Sequence, residues 1–203
     1  YLIKIMDTSE LTPKESFAII NKAISNFKAN YQESAKIFLL WGWVLTLACF
    51  SQFATIKILQ NTGQYELIGP ISIGNWVLFF AVGLIIQFFV IRRINHEKKV
   101  GSYLEDYLKS LWLVCVTSII VAIIISFLLD ISFPPIIMLI VGIGTTTTGL
   151  LIRFRPLVIG GVSFFVFSIA SAFVSNEYVN LLIGAAIVIG HLIPAYLLRS
   201  AKN

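Results

Sequence analysis

The sequence predicts an all-α membrane protein with six transmembrane helices, both termini in the cytoplasm, and amphipathic cytoplasmic helices extending spans one and three. Three observations carry this. Hydrophobic residues make up 58% of the 203-residue chain and charged residues only 12%, with a mean hydropathy of +0.89, whereas a soluble domain carries about 25% charged residues. Six blocks of 17 to 20 residues hold no Asp, Glu, Lys or Arg. Fourteen of the fifteen Lys and Arg fall on one side of a six-span threading.

Apolar blocks of about 18 residues or more are span candidates, because roughly 30 Å of hydrocarbon takes about 20 helical residues. The apolar runs are continuous, whereas a barrel strand alternates lipid-facing with lumen-facing side chains. Helices satisfy their own amides where there is no water to do it. The whole chain reads as a single integral membrane domain.

Met6 opens MDTSELTPKES and is the expected natural start, which makes Tyr1–Ile5 an upstream extension. No cleavable signal peptide is expected, since the first long apolar block begins near residue 37. Thr12 can cap a helix, Pro13 suits its first position and Glu15 completes a capping box. Phe17, Ile20, Ile24, Phe27 and Tyr31 then recur at a spacing of three and four, forming one apolar stripe. Lys14, Lys22, Lys28 and Lys36 fall elsewhere on the wheel, so residues 1–36 read as a cytoplasmic amphipathic helix running into span one.

The spans are expected near 37–56, 73–91, 111–129, 136–152, 157–174 and 181–198. The connection Arg153-Phe154-Arg155-Pro156 is short enough to make spans four and five a tight antiparallel hairpin. Between spans two and three, Tyr103, Leu104, Tyr107, Leu108 and Leu111 mark a second amphipathic helix. Tyr31-x-Glu33 and Tyr103-x-Glu105 sit alike before their spans, two matching residues that a repeat of about 70 residues would leave. Lys57 is alone on the far side, with Glu66, Asp130 and Glu177. The positive-inside rule therefore places both termini in the cytoplasm. The net charge of +5 follows from this distribution and points to no nucleic-acid partner.

Cys49 and Cys115 lie inside apolar blocks and read as small packing residues. His191 lies deep in span six, and an intramembrane ionisable residue is a functional candidate. The alternative is one interhelical hydrogen bond from an uncharged imidazole to a hydroxyl such as Thr148 or Ser163. Gln87, Thr148, Ser163 and His191 fall at comparable depth and form a polar pocket if their faces converge. Thr145–Thr148 point all round a helix, and their hydroxyls can bond back one turn. Gly142, Gly144, Gly149, Gly160 and Gly161 permit close helix approach. Gln52 and Asn75 are placed to face one another across the first hairpin, and Arg153 and Arg155 read as topology anchors, with phosphate or lipid head-group binding as the alternative. Trp41, Trp43, Trp76 and Trp112 lie near span ends, where an amphipathic ring prefers the interface.

The six-span outline, the Gly-rich span four and the His in span six resemble rhomboid intramembrane proteases. Where that family has Gly-x-Ser, this chain has Gly142-Ile143-Gly144-Thr145 with no serine, Asn75 stands alone in span two, and no nucleophile–base pair is left for hydrolysis. Size and span number resemble the substrate-binding subunits of vitamin transporters, without a matching motif. Leu11-Thr12-Pro13-Lys14-Glu15-Ser16 and Trp41-Gly42 resemble a family of small uncharacterised bacterial multi-pass membrane proteins. That resemblance covers chiefly residues 10–60 and implies the bacterial cytoplasmic (inner) membrane, with no activity attached.

The expectation is a non-enzymatic regulatory or scaffold subunit. It needs no cofactor and no metal, and associates with the lipid bilayer and with a second copy or another membrane or cytosolic protein. The alternative is a small-solute or ion transporter using the polar pocket around His191, with an intramembrane enzyme as the remote third. The absence of a carboxylate in any span weighs against the transporter.

Overall fold

The computed structural model describes residues 13–97 and 103–200, with side chains over 35–93 and 106–200. Six long helices run in order: α1 Pro13–Asn61, α2 Ile68–Glu97, α3 Tyr103–Leu129, α4 Pro134–Leu151, α5 Arg155–Ser171 and α6 Val179–Ser200. A one-turn 3₁₀ helix, Tyr65–Leu67, precedes α2, and α6 contains a π turn at Val188–Leu192. No strand occurs among the described residues.

Five of these helices are long and apolar enough to cross a membrane, over Ala35–Asn61, Tyr65–Arg93, Asp106–Leu129, Pro134–Leu151 and Val179–Ser200. The sixth, α5, has 17 residues and falls just below that length. The span expected at 157–174 therefore overruns its helix. The N–H groups of Ala172 and Phe173 turn back to Ile169 O and Ala170 O, each at 3.1 Å, so the apolar residues 172–174 belong to the turn. Absence of charge marks the edge of an apolar block, whereas hydrogen bonding marks the end of a helix. As the stripe and capping signals predict, α1 is unbroken from Pro13 into its apolar segment. Likewise, α3 is continuous from Tyr103.

The α4–α5 hairpin is the tightest pairing, and glycines make it so. A Cβ on Gly149 would lie 2.6 Å from Val158 N, and Gly161 is pressed against Thr146. The turn closes with Phe154 N–H on Gly149 O (2.9 Å) and Arg153 N–H on Leu150 O (3.1 Å), a Schellman arrangement. Arg153 holds its left-handed position at φ 55°.

Half of the α6 span and 44% of the α1 span are buried, against 6% for α2, so α1 and α6 form the centre and α2 is peripheral. One buried cluster joins Ala35, Phe38 and Leu39 of α1 to Ile152 and Leu157 at the hairpin and to Leu192, Ala195 and Leu198 of α6. Leu108 and Trp112 of α3 and Phe154 pack against it. The start of the α1 span, the start of α3, the α4–α5 turn and the end of α6 thus share one end of the bundle. These are the segments that carry Lys36, Lys109, Arg153, Arg155 and Arg199.

A second cluster of Cys49, Met138, Phe164, Ala186 and Ile187 fills the bundle further along. Both cysteines are free and buried. At the opposite end, Lys57 Nζ lies 2.6 Å from Glu177 Oε2 and over the Tyr178 ring at 5.1 Å. Along the α1–α2 seam, Ser51 Oγ donates to Asn75 Oδ1 (2.8 Å), and Asn75 Nδ2 donates to Ala48 O (3.2 Å). Gln52 Nε2 donates to Ser72 Oγ (2.5 Å). Gln52 and Asn75 therefore each cross the hairpin, bonding to separate serines and not to each other.

Candidate functional site

His191 sits on the π turn, and Pro194 explains the turn. A proline has no N–H for the carbonyl four residues back, here Gly190, and its ring crowds that group. The helix widens one turn earlier, and Ile193 N–H reaches back five residues to Val188 O. Such bulges recur at functional sites.

Glycine lets the neighbouring helices close on this turn. A Cβ on Gly160 of α5 would lie 2.5 Å from Gly190 O and 2.7 Å from Pro194. A Cβ on Gly42 of α1 would meet Leu192 at 2.5 Å, and Gly190 abuts Phe164. His191 is thereby driven into the interior, 6% exposed.

Three aromatic rings from three helices enclose it. The Phe38 centroid is 4.6 Å from the imidazole, tilted by 39°. Trp112 lies edge-on at 6.1 Å and 85°, and Phe164 at 6.3 Å and 77°. Edge-to-face pairs of this kind contribute about 0.5–1.5 kcal/mol each beyond the area they bury. The imidazole makes no hydrogen bond to a described residue.

The four residues expected to form a polar pocket are not joined. Thr148 is fully buried, but its Oγ1 donates to Gly144 O at 2.7 Å within its own helix. Ser163 Oγ donates to Gly160 O at 2.7 Å, also within its helix. Gln87 Oε1 accepts from Trp41 Nε1 at 2.6 Å, which ties it to the α1–α2 seam. Back-bonding of the threonine run holds for Thr148, whereas the buried Oγ1 atoms of Thr145 and Thr146 have no partner among the described residues.

In the expected interaction face, Leu108 packs on the α1–α6 cluster while Tyr107 is exposed. The side chains of Phe17, Ile20, Ile24, Phe27, Tyr31, Tyr103 and Leu104 lie outside the described residues, as do those of Glu33 and Glu105 in the paired Tyr-x-Glu segments.

Two features escaped sequence reasoning. The π turn is one, although Gly190-His191-Leu192-Ile193-Pro194 carries its signal, a glycine and a proline four apart. The other is the bond from Trp43 Nε1 to Tyr196 Oη at 2.9 Å, which links α1 to α6 below His191.

Chemically, the His191 site is a closed aromatic box around a flat ring, suited to fixing the rotation of α6 against α1, α3 and α5. No protein-family model, curated protein or solved structure matches the chain.

Proposed function

We propose that the chain is a six-span integral membrane protein, with both termini in the cytoplasm, that works by association with a partner and not by transport or catalysis. The bacterial cytoplasmic membrane is its proposed site, on the likeness carried by residues 10–60. The sixth span is α5. It returns along the whole of α4, since Ser168 Oγ donates to Pro135 O (2.7 Å) at the first turn of α4. Orientation rests on the gathering of the cationic segments at one end of the bundle.

The observation that carries association is the continuity of α1. The helix runs from Pro13, whereas the charge-free block of span one begins at Ile37, so about 36 Å of helix precedes that block at 1.5 Å per residue. That extension bears the stripe Phe17, Ile20, Ile24, Phe27 and Tyr31, about two heptads long and too short for a free coiled coil. Burying such side chains is worth roughly 1.5–3 kcal/mol each, so the stripe needs a cover. The rival transport reading loses support from the aromatic filling around His191 and the internal bonds of Thr148 and Ser163.

A photo-crosslinking residue at position 24, with a control at Lys22, tests the reading in native membranes. The expected outcome is a discrete protein adduct, with this chain or a second protein, from position 24 and not from 22. Adducts to lipid alone from position 24 would refute it.

A further inference from the structure

We infer that the groove between α1, α2 and α6 binds an anionic phospholipid of the cytoplasmic leaflet, an inference that rests on the membrane orientation proposed above. The groove is open along one side and has a volume of about 440 Å³, within the roughly 300–1,000 Å³ range of small-molecule sites. Its α1 wall is one helical stripe, Lys36, Leu40, Trp43 and Leu47. Its α2 wall is another, Phe79, Val82 and Ile86, and α6 supplies Tyr196 and Arg199.

The two ends of the groove differ in chemistry. Lys36 and Arg199 stand at the end of the bundle that holds the cationic segments, and neither makes an ion pair with a described residue. From Lys36 to Leu47 the stripe rises about 16 Å, close to the roughly 15 Å half-thickness of the hydrocarbon. The walls between are apolar and open to the membrane, with Leu47 and Val82 both exposed. Tyr196 stands one turn from Arg199, and its oxygen already accepts from Trp43 Nε1, so its own hydrogen is free to donate. A cationic mouth, a hydroxyl donor just inside it and an acyl-length apolar trough match a phosphate head group, its ester region and one chain. Charge complementarity selects an anionic lipid over a zwitterionic one.

The test is native mass spectrometry of the purified full chain in mild detergent. Phosphatidylglycerol or phosphatidylcholine with identical acyl chains is added. Preferential retention of phosphatidylglycerol is expected. Each surface cation is worth about fivefold in affinity, so the Lys36→Gln/Arg199→Gln double variant should lose about thirtyfold. Arg155→Gln, at the hairpin turn of the same end, should lose little, and Lys36→Arg should retain binding even if the double variant folds poorly.

Equal retention of the two lipids, or an equal loss in Arg155→Gln, would overturn the site. So would displacement of phosphatidylglycerol by an equal concentration of inorganic phosphate. Alkaline carbonate extraction distinguishes failure of the lipid site from failure of membrane insertion. A chain that resists extraction but shows no lipid preference loses only this inference, whereas an extractable chain loses the membrane reading itself.

Discussion

Gly160 and Gly190 meet where α5 crosses α6, with Gly190 O 2.5 Å from the place a Cβ on Gly160 would occupy. The obstruction is backbone and cannot swing aside. Gly160→Ala should therefore force the helices apart, at about 1–3 kcal/mol for an overpacked contact. Gly74 of α2 offers the contrast, since nothing lies within 4 Å of its Cβ position. Gly74→Ala should be neutral or stabilising, by up to about 1 kcal/mol from helix propensity. Thermal unfolding in detergent compares the two, and a Gly160→Ala variant as stable as wild type would contradict the crossing.

His191 is held by ring packing, not by hydrogen bonds, and this orders its variants. His191→Phe keeps a flat ring against Phe38, Trp112 and Phe164 and should be mild. His191→Gln keeps polarity but loses the ring, and should cost more, roughly 1–3 kcal/mol for the two edge contacts with Trp112 and Phe164. The opposite order in thermal stability would mean that the imidazole depends on a polar partner.

Arg153 occupies a left-handed backbone position at φ 55°, which costs a non-glycine residue about 1–2 kcal/mol. Arg153→Gly should stabilise the hairpin relative to Arg153→Ala by on the order of 1 kcal/mol. Both remove the same charge, so their difference in unfolding free energy isolates the backbone. Equal stabilities would contradict the turn geometry.

Lys57 and Glu177 tie the end of α1 to the loop before α6. Both side chains are partly exposed, so the pair is open to screening by salt. Lys57→Ala and Glu177→Ala should each lower the melting temperature slightly, and less at high salt. The exchange Lys57→Glu/Glu177→Lys should recover part of the loss. Strict additivity of the two single variants would show that the pair does not interact.

Helix positions were legible in the sequence because charge-free blocks and cap residues locate them along one coordinate. The unbroken helix ahead of span one, the short Arg153–Pro156 turn and the small residues of α4 and α5 were all readable in this way. Rotation about each helix axis was not. Gln87, Ser163 and His191 share a depth, yet Gln87 turns to Trp41 and Ser163 to its own helix. The π turn adds a further obstacle, since one extra residue advances everything after Val188 by about 100°. A wheel drawn from Val179 therefore misplaces Tyr196 and Arg199, and the groove that they line with α1 and α2 was invisible until the helices were assembled.

The proposed topology has six spans and the cationic end of the bundle in the cytoplasm. One measurement tests it: labelling of single cysteines in intact cells by a membrane-impermeant maleimide, in a background lacking Cys49 and Cys115. Gln64→Cys and Asn176→Cys should be labelled from outside, and Ser200→Cys only after the membrane is opened. Asn176 is the decisive position, because it lies beyond the 17-residue α5. Protection of Asn176→Cys alongside labelling of Gln64→Cys would leave α5 uncrossed, and labelling of Ser200→Cys in intact cells would invert the orientation.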